Sequence, residues 1–179
     1  MINNLVFNNK YVSWSFKNKE VKIEIEDIII ATENNINNYV VISSGKNFIT
    51  EKVFYHHFDG SLLMFYNLKT GLIQWEHNKN DIEITVDSLI QVGYYPYKKL
   101  ILIMYKTKDR EVIALDLKGD YLYEVSPPNG YKMMYFQEFT DHISIVCDGD
   151  DKHQDKFGRN RVNFKLDILN GNLTKGNLA

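Results

Sequence analysis

Apolar and polar residues alternate along much of this chain with a period of two, and no stretch carries the 3.6-residue apolar period of a helix. Such alternation puts one face of a β-strand against a core and the other in water. It is clearest at residues 21–26 (Val-Lys-Ile-Glu-Ile-Glu) and 82–86 (Ile-Glu-Ile-Thr-Val), which are expected as outer strands. Residues 40–42, 62–65 and 100–104 are instead apolar at consecutive positions. In a strand this means that both faces are covered, so these segments are expected as central strands. Further strand candidates lie at 28–30, 53–58, 89–93, 133–136 and 143–147.

A two-strand pattern with a short polar turn recurs four times. Residues 11–16 and 21–26 flank a turn at 17–19, and 62–68 and 72–76 flank Lys69-Thr70-Gly71. Residues 111–117 and 121–125 flank Lys118-Gly119, and 162–168 and 173–175 flank Asn170-Gly171. The turn anchors, near 19, 71, 119 and 171, are spaced by 52, 48 and 52 residues, a period that points to a repeat architecture. Asn-Gly and Lys-Gly pairs suit two-residue hairpin turns because glycine enters positive φ without steric cost. A parallel α/β sheet would also have continuous apolar strands, but it needs crossover helices of a dozen residues, for which the short Asn-rich intervals leave no room. The expected fold is therefore all-β, a single repeat domain over residues 1–179 made of antiparallel meanders. The meanders would form either a small or partial β-propeller-like assembly or a twisted β-sandwich. Trp75, in the most regular hairpin, is expected inside.

Composition narrows the class further. The 179 residues are 44% hydrophobic and 25% charged, which is ordinary globular usage and excludes a disordered chain. With 21 basic against 23 acidic residues there is no cationic excess to coat a nucleic acid. The one cysteine, Cys147, has no internal disulfide partner, and no apolar run approaches the length of a membrane span. The N-terminus lacks the basic and apolar regions of a signal peptide, so a cytoplasmic chain without a membrane contact is expected.

The segment 58–76 resembles the repeat of pyrroloquinoline-quinone-type β-propellers. It runs strand, Asp59-Gly60 turn, strand, Thr70-Gly71 turn, strand and a Trp75-Glu76 ending, with shorter echoes at residues 113–119 and 165–171. The resemblance implies blade architecture and no particular cofactor. The three full copies and one partial copy are fewer than a closed ring needs, which leaves room for unfinished blades to pair across a dimer. In overall style the chain is also similar to bacterial immunity proteins, which neutralise one toxin domain.

Candidate chemistry is sparse. His57 and Asp59 share a strand face and can supply two metal ligands, with no third in view, while His56 points to the other face. An enzyme reading would use His56 or His57 with Asp59. Tyr94-Tyr95-Pro96-Tyr97-Lys98-Lys99 mixes aromatics with cations, but it reads as a turn whose rings cover strand edges. His77, His142 and His153 fall at strand ends or in a loop. The one long polar loop carries Asp148, Asp150, Asp151 and Asp155, and it departs from a calcium loop by having His153 and Arg159 at the glycine and glutamate positions. These four aspartates are expected to bind a protein partner, for example a basic toxin domain, through charge complementarity. With no nucleophile elbow or phosphate loop, the expectation is a protein-binding chain that is not an enzyme, needs no cofactor or metal, and binds neither nucleic acid nor membrane.

Overall fold

A computed structural model describes all residues from Met1 to Ala179. Seventeen β-strands and three single-turn 3₁₀ segments, at Lys46–Phe48, Pro96–Lys98 and Asp151–His153, make up the regular structure, and there is no α-helix. The strands form four antiparallel meander sheets in which neighbours in space are neighbours in sequence. The chain divides into two compact units, Met1–Ser88 and Leu89–Ala179.

The first unit holds a three-stranded sheet, β1 (Asn3–Phe7), β2 (Tyr11–Phe16) and β3 (Lys19–Glu24), and a six-stranded one. The latter runs β4 (Ile28–Asn34), β5 (Tyr39–Ser44), β6 (Lys52–His57), β7 (Leu62–Asn67), β8 (Leu72–His77) and β9 (Asn80–Thr85). Val12, Trp14, Ile28, Val40, Ile42 and Phe58 form their common core. Trp14 Nε1 donates a 2.7 Å hydrogen bond to the Phe58 carbonyl, which satisfies the one polar atom of a buried indole.

The second unit is two four-stranded meanders: β10 (Leu89–Tyr95), β11 (Leu100–Tyr105), β12 (Glu111–Leu115) and β13 (Tyr121–Val125), then β14 (Tyr131–Glu138), β15 (Ile143–Gly149), β16 (Arg161–Leu166) and β17 (Leu173–Leu178). Leu102, Met104 and Val112 of one sheet share a core with Met133, Ile145 and Phe164 of the other. Two antiparallel meanders packed face to face are the blade-on-blade arrangement of a propeller-like fold.

Hydrophobic periodicity accounts for the placement of the strands. Residues 100–104 are fully buried at consecutive positions in β11, between β10 and β12. The alternating segments become β3 and β9, each an edge strand with every second residue exposed. Trp75 is buried on β8, opposite Met64 and Ile82.

The turns differ from the two-residue expectation. The Gly119 and Gly171 turns are longer loops led by an aspartate. Asp116 Oδ1 accepts from the amides of Lys118 and Asp120, and Asp167 Oδ1 from that of Leu169, while the glycine amide closes onto the same aspartate's carbonyl. Asn67 plays this part before Gly71, whose φ of 75° and contact with the Val86 backbone exclude a Cβ. The two-residue turns are instead Lys17-Asn18 and Asn78-Lys79, in which all four residues have positive φ without a glycine.

Candidate functional site

The β15–β16 connection of the second unit brings together all four aspartates singled out in the sequence. Asp148 and Arg161 face each other across the two strands, and the guanidinium donates to both carboxylate oxygens, at 2.7 and 3.0 Å. Above that clamp the Gly149 amide donates to the Asn160 carbonyl, and the Asn160 side chain donates back to the Gly149 carbonyl. Asp155 Oδ1 accepts from the amides of Phe157 (2.8 Å) and Arg159 (2.9 Å), and its Oδ2 accepts from Arg159 Nε at 2.8 Å. Asp150 accepts from the Lys152 amide and from His153 Nδ1 at 2.6 Å. Asp151 is exposed and accepts a bond from Gln154.

These bonds shift the carboxyl pKa values. The Arg161 hydrogen bond holds Asp148 below its ordinary value, the His153 hydrogen bond does so for Asp150, and the Arg159 amide for Asp155. The loop is therefore built by its own aspartates. At its tip Phe157 is 70% exposed, with Lys156 Nζ 4.9 Å and Arg159 Cζ 5.3 Å from its ring centroid.

His153 sits in a slot that loop assignment from sequence does not reveal. Its ring centroid lies 4.4 Å from that of Tyr131, and a Cβ on Gly130 or Gly149 would collide with it. Tyr131 packs edge-on against Phe164 and accepts a 2.8 Å hydrogen bond from Lys175 Nζ through its hydroxyl. Asp150, His153, Tyr131 and Lys175 thus form one chain of contacts linking the loop to β14 and β17. The signal was present as an Asp-x-x-His spacing, which a single tight turn brings within bonding distance.

The other candidates lie elsewhere. His57 is exposed, and Asp59 accepts from the amide and hydroxyl of Ser61 within the Asp59-Gly60 turn. His56 is buried with Nδ1 on the Gly60 carbonyl at 2.9 Å, and desolvation lowers its pKa. No three His, Cys, Asp or Glu side chains cluster around a metal-sized space. Tyr94 and Tyr95 are buried, and Lys98 forms a largely buried ion pair with Glu138 (3.1 Å), which pins the Pro96–Lys98 turn to β14. Cys147 is buried, and desolvation pushes its thiol pKa up to about 12. No helix is long and apolar enough to cross a membrane.

No protein-family model matches the sequence, and no curated protein matches it. Among solved structures, the chain is similar to the dihydro-heme d1 dehydrogenase NirN, with 12% identity and a TM-score of 0.48 over 94% of this chain and 43% of that one. It is also similar to a candidate 6-phosphogluconolactonase from Bacteroides fragilis, with 12% identity and a TM-score of 0.45 over 96% of this chain and 67% of that one. The chain spans less than half the length of NirN. Both matched proteins are named for enzymatic activities, which runs against the sequence-based expectation of a chain that is not an enzyme; that expectation is withdrawn.

Proposed function

We propose that the chain binds another protein and that the β15–β16 loop of the second unit is its contact segment. The observation that carries this reading is Phe157, a large apolar ring 70% exposed at the tip of a loop whose backbone is fixed by Asp155 and clamped at its base by Asp148 and Arg161. An aromatic presented on a preformed loop gives up little conformational freedom on binding, and such residues dominate the energetics of many interfaces. The aspartates enter this reading mainly as the loop's framework, and Asp151 as the carboxylate left facing solvent.

The partner proposed is a toxin domain encoded beside this chain, in keeping with the sequence's likeness in style to bacterial immunity proteins. The repeat is read as a degenerate pyrroloquinoline-quinone-type blade. Support comes from the same Asn- or Asp-led turn recurring before Gly71, Gly119 and Gly171.

Titration calorimetry of the full chain with the neighbouring gene product tests the proposal. Phe157→Ser is expected to weaken binding at least about tenfold, or about 1.4 kcal/mol. An unchanged affinity would remove the loop tip from the mechanism, and absence of binding by the neighbour-encoded protein would overturn the partner assignment.

A further inference from the structure

A shallow depression beside the loop is lined by Lys152, His153, Asp155, Arg159, Val162 and Lys175, among others. Three cations, Lys152, Arg159 and Lys175, outnumber the one lining carboxylate, Asp155, with Asp150 next to them on His153. Asp155 is paired with Arg159, whereas Lys152 and Lys175 take part in no ion pair and leave two positive charges over the cavity. Lys175 is held by one hydrogen bond to the Tyr131 hydroxyl and lies over that ring at 5.3 Å, so its remaining ammonium protons are free to donate. His153 is seated between Gly130, Gly149 and Tyr131 with Nδ1 bonded to Asp150, which fixes the ring and leaves Nε2 as its available atom. The groups come from the Asp151–His153 turn, the loop and β17, and none of the three elements alone would gather them.

We propose that this depression binds a phosphate group, through Lys152, Lys175 and His153 Nε2, with Arg159 at its rim. Two ammonium groups outside any ion pair match the charge of a phosphate dianion, and the imidazolium form of His153, with one N–H on Asp150, has its Nε2–H to donate to one oxygen. Val162 and Leu178 give the depression an apolar side on which the organic part of an ester can rest. The site adjoins the protein contact proposed at Phe157, since Arg159 lies over that ring, but its binding groups Lys152, His153 and Lys175 are separate from it.

The test uses the full chain at low ionic strength, where screening is weakest. Inorganic phosphate and glycerol 2-phosphate are titrated while the His153 imidazole resonances are followed by NMR, with sodium chloride at equal ionic strength as the control. Saturable one-to-one binding that shifts His153 is expected with both phosphates and not with chloride. Tighter binding of glycerol 2-phosphate would assign the site to a phosphate ester, and equal binding to the free ion. Lys152→Gln, which removes no hydrogen bond of the fold, is expected to weaken binding several-fold, and its combination with Lys175→Gln at least about tenfold. A linear, non-saturating response, the same shifts in chloride, or unchanged affinity in Lys152→Gln and in the double variant would overturn the proposal.

Discussion

At the scale of single residues, hydrogen bonding assigns the aspartates a role that residue type alone does not. Asp148, Asp150 and Asp155 accept bonds from Arg161, His153 and the amides of the loop itself, and each carboxyl pKa is lowered by those bonds. The sign of the consequence is fixed. A group whose folded pKa lies below its unfolded one stabilises the folded loop above the ordinary carboxylate range and loses that contribution as the pH falls through the folded value. The loop is therefore expected to keep its structure at neutral pH and to loosen only below pH 3.8, the carboxylate reference value. Amide exchange at Phe157 and Arg159 is the measurement. Slow exchange at neutral pH, with acceleration beyond the intrinsic trend only in acid, is expected; fast exchange at neutral pH would show that Asp155 does not hold those amides. The four aspartates were legible in the sequence as one loop. Their bonding directions were not, because they depend on turns that bring residues two to thirteen positions apart into contact. The slot of His153 is hidden in the sequence for the same reason: it is built from Gly130, Gly149 and Tyr131, which lie on other elements.

At the scale of elements, strand position followed from periodicity because burial of one face or both leaves a direct mark on side-chain choice. That logic located β11 in the interior of its sheet and β3 and β9 at edges. Turn type was less accessible. Glycine marks where φ is positive, but the aspartate or asparagine three or four residues before it sets the loop's length, as at Asn67, Asp116 and Asp167. The tightest hairpins lack glycine altogether. Asn78 and Lys79 hold φ of 53° and 64° in the β8–β9 turn. A left-handed conformation costs an L-residue roughly 1–2 kcal/mol, part of which glycine returns as unfolded-state entropy. Lys79→Gly creates an Asn-Gly pair suited to this turn and is expected to stabilise the chain by about 0.5–1 kcal/mol, raising Tm by roughly 1–4 °C. A lowered Tm in a thermal melt would contradict the turn geometry.

At the scale of the whole molecule, four meander sheets in two compact units explain why the sequence repeats near every 50 residues and why its copies are unequal. The hairpins at 62–76 and 162–175 belong to sheets of six and four strands. The strand candidate at residues 53–58 becomes β6, paired on both sides within the six-stranded sheet. A rigid β framework of this kind gives a short loop a fixed base, and the account of function depends on that rigidity extending to the tip. Backbone ¹⁵N relaxation across the full chain tests it most directly. Order parameters for residues 150–160 are expected close to those of β15 and β16, about 0.85, whereas values below about 0.6 around Phe157 would contradict a preformed contact segment.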